Sequence, residues 1–91
     1  MSNRYTVEIS APAFRDLQRI PRKVAEAILA FCDSLLTENP RRVGKPLRGE
    51  YAGRFSARRG DYRVMYSITE ELKKVRVLVI DHRSQVYRSG R

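Results

Sequence analysis

The sequence predicts an α+β domain of order β-α-α-β-β-β, with a helical hairpin packed on one face of a small antiparallel sheet. Three observations predict it: an alternating opening segment, an apolar stripe at helical spacing in the first half, and strand-like runs separated by turn residues in the second. Helices grouped early and strands grouped late belong to that class. With 91 residues, the chain has room for one domain, 1–91, around one modest core.

Tyr5-Thr6-Val7-Glu8-Ile9 alternates as a half-buried strand does, and Ser10 follows it as a good helix N-cap. Phe14, Leu17, Ile20, Val24, Ile28, Phe31 and Leu35 then recur at three- and four-residue steps, one face of a helix. Pro21 interrupts that stripe where a helix interior would lose a backbone bond, so two helices are expected, roughly 11 to 19 and 21 to 38. Asn39-Pro40 and Gly44-Lys45-Pro46 mark a loop. Arg54 to Arg59 and Tyr62 to Ile68 read as a hairpin turning at Gly60-Asp61. A second turn over 70–73 leads into Val75 to Ile80, an almost continuous apolar run suited to the centre of a sheet.

Strict alternation assigns faces. Phe55, Ala57, Val64, Tyr66, Ile68, Val75, Val77 and Val79 are expected toward the helices. Arg54, Ser56, Arg58, Arg63 and His82 then point the other way, together with Met65, Leu78 and Ile80, forming a floor of mixed basic and apolar groups. Tyr62 shares the parity of Val64 and is expected in the core.

The net charge of +9 is unevenly spread: residues 1 to 40 balance at five basic and five acidic side chains, whereas 41 to 63 carry eight basic against two acidic. Solubility gives no reason for that asymmetry, whereas a phosphate-binding surface does. Arginine dominates, and its planar fork suits bidentate phosphate contacts. Lys45, Arg48, Arg54, Arg58, Arg59, Arg41 and Arg42 are therefore the candidate RNA-binding residues. The lone Cys32 sits on the apolar stripe and reads as a buried small hydrophobe. It leaves no disulfide framework and no cysteine-based metal site. No apolar run spans a bilayer and the first residues lack a secretory layout, so a soluble cytoplasmic protein is expected.

The ordered set KPLRG (45–49), then Gly60-Asp61-Tyr62-Arg63-Val64-Met65-Tyr66, then His82-Arg83-Ser84-Gln85-Val86-Tyr87-Arg88 resembles the RelE toxins of the RelE/ParE superfamily over nearly the whole chain. The resemblance implies a toxin of a type II toxin–antitoxin system. It implies a ribosome-dependent, metal-free endoribonuclease that cleaves mRNA in the ribosomal A site and is neutralised in complex with a cognate RelB-like antitoxin. It places Arg63, Arg83 and Tyr87 in the active site and calls for no cofactor. One departure stands out: the best-studied enterobacterial RelE carries two lysines on the strand before the hairpin turn, where this chain has Arg54 and Ser56.

Metal-free RNA cleavage needs a base for the 2′-hydroxyl, an acid for the leaving oxygen and cations for the phosphoryl charge. Arg63 and Arg83 suit the cationic task. His82, the sole histidine, and Tyr87 are the candidates for moving a proton, and Tyr87 could instead stack on a base. Glu50 reads as an ion-pair partner of Arg48 or Arg54 rather than a base. Two other classes compete: a ParE-like DNA gyrase inhibitor on the same fold without nuclease activity, and a non-catalytic nucleic-acid module. The cluster of Arg63, His82, Arg83 and Tyr87 favours cleavage over the first. The absence of a helix-turn-helix pattern counts against the second.

Overall fold

The computed structural model describes residues 4–82. The chain opens with strand β1 (Thr6–Ile9), then helices α1 (Ala11–Arg19) and α2 (Arg22–Asp33), followed by two single turns of helix, α3 (Leu35–Glu38) and α4 (Pro40–Val43). A short strand β2 (Lys45–Pro46) leads to β3 (Arg54–Arg59), β4 (Tyr62–Thr69) and β5 (Lys74–His82). The five strands form one sheet in the order β1-β5-β4-β3-β2. The α+β class and the helical hairpin on one face stand as expected.

The sheet is mixed rather than wholly antiparallel. β3, β4 and β5 form a meander, but β1 runs parallel to β5, with Thr6 opposite Lys74 and Ile9 opposite Val77. Two reversals in the meander fix the direction of β5. β1 joins from the far end of the sequence, where nothing local dictates its sense. β2 adds the opposite edge, Lys45 facing Ser56 and Pro46 facing Phe55.

Local chemistry explains the helix boundaries. Ser10 caps α1, its hydroxyl accepting the Ala13 N–H at 3.2 Å. The helix stops at Ile20, whose extended backbone precedes Pro21. The second helix is shorter than the stripe suggested: the Ser34 hydroxyl bonds back to the Ala30 carbonyl at 2.7 Å and the chain kinks into α3. That kink changes which side chains are buried. Leu36 is fully buried while Leu35 is 45% exposed; separately, in α1, Ala13 is buried while Phe14 faces solvent. The core joins Ala13, Leu17, Ile28, Phe31, Cys32 and Leu36 from the helices to Ala57, Val64, Tyr66, Val75, Val77 and Ile80 from the sheet. Cys32 is inside as expected, and burial pushes its thiol up to about 11.

The face assignment fails in one strand. Tyr66 pairs with Val77 but Met65 pairs with Val79, so Leu78 is an extra residue in β5, a bulge. Alternation inverts beyond it. Ile80, expected on the open face, lies opposite Val64 in the core, and Val79 moves to the open face beside Met65. Two residues of the first helical segment bind this irregularity. The Ser10 hydroxyl donates to the Leu78 carbonyl at 3.2 Å, and Asp16 Oδ2 accepts the Ile80 N–H at 3.0 Å.

Two further contacts lock the edge at β2. The buried Tyr66 hydroxyl donates a short hydrogen bond to the Pro40 carbonyl, and burial pushes its pKa up to about 12, so the proton stays in place. A Cβ at Gly44 would overlap that hydroxyl and lie 3.0 Å from the Ser56 carbonyl oxygen. Elsewhere Glu70 gathers Lys73 at 2.8 Å, Arg41 at 2.9 Å and the Tyr5 hydroxyl at 3.0 Å, linking β1, α4 and the β4–β5 turn. Hydrogen bonds from Lys73, Arg41 and Tyr5, in that order, hold its carboxyl down at about 2.

Three outcomes follow. Asp16→Ala, which strands the Ile80 N–H, should cost about 1–3 kcal/mol by denaturant titration, or roughly 4–8 °C of Tm for each kcal/mol at this length. Gly44→Ala should cost about 1–3 kcal/mol through overpacking against Tyr66. Glu70→Gln should remove stability that is fully present above about 4.5, the ordinary carboxyl value, and that wild type loses as pH falls toward about 2. A pH series of melts should then show a shallower acid limb in the variant than in wild type.

Candidate nucleic-acid interface

On the sheet face turned away from the helices, β2, β3 and β4 bring cations into register. Lys45 stands opposite Ser56, and Arg58 stands opposite Arg63. With Arg42 from α4, these residues line a recess of about 340 Å³ whose lining contains no carboxylate. Two like charges directly across a strand pair are destabilising. Arg58 relieves part of that repulsion by donating from Nε to the Gly60 carbonyl at 3.3 Å, with Gly60 in the left-handed conformation that closes the hairpin. Ser56 is buried, 6% exposed as a residue, and its hydroxyl makes no hydrogen bond among the described residues.

Sequence alternation correctly assembles Arg54, Ser56, Arg58 and Arg63 on one face. Arg54 is exposed at the other end of β3, opposite Ser67, and Arg48 is exposed in the loop after β2. Two expected RNA contacts are used elsewhere. Arg41 is bound to Glu70, and Arg59, with the parity of the core, places its guanidinium 4.1 Å from the centre of the Phe31 ring. Glu50 lies exposed in a turn of 3-10 helix and forms no ion pair with Arg48 or Arg54 among the described residues.

The expectation that His82 shares the face of Arg63 is corrected by the Leu78 bulge. Arg63 pairs with Asp81, while His82 pairs with Tyr62 on the helix side and meets its ring edge-on at 5.5 Å. There His82 borders a separate recess with Asp16, Arg19 and Ile20. Asp81 is thus the residue that sequence reasoning missed at the Arg63 position. A single inserted residue in an apolar run leaves no compositional trace, and only the Ser10 and Asp16 contacts explain it. Arg83 and Tyr87, the two remaining candidate catalytic residues, lie outside the described residues.

No group of three or more potential metal ligands occurs among the described residues, and no described helix is long and apolar enough to cross a membrane. What the interface offers chemically is charge stabilisation by guanidinium and ammonium groups, with one buried hydroxyl among them.

Comparison with known proteins agrees with this architecture. Residues 7–87 match the model of the ParE toxin of the type II toxin–antitoxin system parDE. Toxin RelE of Mycobacterium tuberculosis is 50% identical over 84 residues, a match covering 92% of this chain and 87% of that protein. Toxin RelG of the same organism is 48% identical over 84 residues, covering 92% and 97% respectively. The structure of the toxin–antitoxin complex RelBE2 from M. tuberculosis superimposes with a TM-score of 0.85 at 48% identity, over 88% of this chain and 99% of that one. A fold of helices on a five-stranded mixed sheet, a strand face rich in arginine and these matches together identify the chain as a toxin of the RelE/ParE superfamily from type II toxin–antitoxin systems.

Proposed function

We propose that this chain is a cytoplasmic, ribosome-dependent mRNA endonuclease that needs no metal, inhibits translation and is neutralised by a RelB-like antitoxin. The observation that carries this reading is the carboxylate-free recess in which Arg42, Lys45, Arg58 and Arg63 converge. Relatives at about half identity that bear the names RelE and RelG support it, and so does the RelBE2 complex, whose toxin has the same fold. In the reaction, the 2′-oxygen of a nucleotide attacks the adjacent phosphorus and the bond to the 5′-oxygen breaks. A 2′,3′-cyclic phosphate and a 5′-hydroxyl remain. Arg63 grips the phosphoryl oxygens as their charge grows, a task for a cation that never gives up its proton. Family resemblance assigns Arg83 to the same phosphate and Tyr87 to proton transfer or to stacking on a base. His82, held against Tyr62 on the other side of the strand, is a packing residue in this scheme.

A protein of charge +9 binds polyanions without discrimination, so an acidic antitoxin suits it both in attraction and in keeping RNA away. The second reading, a ParE-like inhibitor of DNA gyrase, takes its support from the family model itself, which is that of ParE. Induction in a bacterial host separates the two: cleavage yields new 5′-hydroxyl mRNA ends at codon positions, whereas gyrase poisoning alters DNA supercoiling and leaves mRNA intact.

Arg63→Ala should relieve growth arrest and lower cleavage by roughly 10²–10³-fold, the loss typical of a transition-state donor, with thermal stability nearly unchanged. His82→Ala should remain toxic. Toxicity assays with protein levels verified by immunoblot check both, and an Arg63→Ala variant as toxic as wild type would remove the catalytic assignment.

A further inference from the structure

Cleavage by the route proposed above needs a group that takes the proton of the attacking 2′-hydroxyl, and the cations of the recess cannot supply it. Arg42, Lys45, Arg58 and Arg63 carry donors without an acceptor. His82 is held against Tyr62 on the helix side. Among the described carboxylates of the second half, Glu50 and Asp61 are exposed in turns, and Glu70 is tied to Lys73, Arg41 and Tyr5. Asp81 is placed differently. The Leu78 bulge sets it directly opposite Arg63, so that Arg58, Arg63 and Asp81 form one row across β3, β4 and β5. Residues directly opposite have Cβ atoms about 4.5–5.5 Å apart. The row therefore offers two cations for the charge of a phosphate and, on the far side of Arg63, one carboxylate. Asp81 is half-buried, and its Oδ1 accepts the His82 N–H at 2.8 Å, which anchors the side chain to its own strand. A carboxylate has about four acceptor positions, so that bond leaves it able to accept a proton.

We propose that Asp81 is the general base of the cleavage, an assignment that rests on the endonuclease reading. Asp81 takes the proton of the 2′-hydroxyl as the 2′-oxygen bonds to phosphorus. The bond from phosphorus to the 5′-oxygen breaks, and its electron pair leaves with that oxygen. The leaving oxygen is protonated by an acid, for which the family resemblance offers Tyr87, and Asp81 afterwards returns its proton to water. An aspartate that accepts the proton of a substrate hydroxyl beside a phosphoryl group is known chemistry in protein kinases. Placement opposite Arg63 gives the carboxylate its aim, because the guanidinium that grips the phosphoryl oxygens holds the neighbouring 2′-oxygen toward β5.

A base that sits beside a phosphate has a distinctive signature, since it aids the chemistry and opposes the binding. Asp81→Asn keeps the side-chain shape and an oxygen for the His82 N–H, so Tm should stay close to that of wild type. On ribosomes with a susceptible codon in the A site, single-turnover cleavage at saturating toxin should fall by about 10²–10⁴-fold, the range for general acid–base catalysis. Affinity for ribosomes carrying an mRNA blocked by a 2′-deoxy nucleotide at the scissile position should be equal or tighter, because a negative group has left the neighbourhood of the phosphate. An mRNA with sulfur in place of the scissile 5′-oxygen has a leaving group that departs without protonation, and the deficit of Asp81→Asn should persist on it in full. Cleavage at the wild-type rate overturns the proposal. A loss confined to affinity overturns it as well, making Asp81 a positioning group for Arg63, and recovery on the sulfur substrate would make it the acid instead. A wild-type chain that leaves mRNA intact overturns the endonuclease reading and the base assignment together.

Discussion

Two hydrogen bonds from the first helical segment, Ser10 to the Leu78 carbonyl and Asp16 to the Ile80 N–H, determine how the last strand presents its side chains. A bulge breaks the ladder and leaves backbone groups that a buried environment penalises unless they are paired. Here the cap of α1 and a carboxylate one turn and a half later pair them. Because side chains alternate with a period of two, one extra residue exchanges the faces of everything after it. Ile80 becomes core, Asp81 comes opposite Arg63, and His82 is delivered to Tyr62. The same Ser10 N–H bonds to Val77 at 3.0 Å, so helix start, strand pairing and bulge are fastened at one place.

Most of the architecture was legible in the sequence because it follows from local rules. The helix cap at Ser10, the break at Pro21, the hairpin at Gly60-Asp61 and the apolar run of β5 are short-range signals, and each appears where expected. The Arg54, Ser56, Arg58 and Arg63 face was legible for the same reason, since β3 and the first part of β4 alternate without interruption. Most of what escaped depends on partners distant in the chain. The parallel sense of β1 is decided by a strand 68 residues away, Thr6 against Lys74. The inversion at Leu78 depends on Asp16, far away in sequence, whereas the kink that buries Leu36 is local, a Ser34 hydroxyl bonded four residues back, but has no compositional signature either.

The basic residues that composition treats as one group have three physical roles. Arg41 and Lys73 are spent on Glu70, while Lys74 and Arg76 reach Glu8. Arg59 covers Phe31 with its guanidinium, a contact of the cation–π kind that also shields a core ring from water. Arg42, Lys45, Arg58 and Arg63 line one recess whose lining contains no carboxylate. Net charge brings a polyanion near, and this sorting decides where it can be held.

The pairing of β1 with β5 also bears on how the domain comes into being. β5 is the inner strand between β1 and β4, and its contacts with β1 join residues separated by nearly the whole described chain. Such distant contacts carry a large loop-closure cost before they return any stability, and they slow folding. During synthesis, β1 and the helical hairpin emerge long before the strand that completes their sheet. The apolar undersides of α1 and α2 therefore wait without a floor, and the arginine face cannot assemble until β3, β4 and β5 have followed. The sheet is thus closed only when β5, the strand between β1 and β4, has been made, and until then the hairpin has nothing to cover its apolar face.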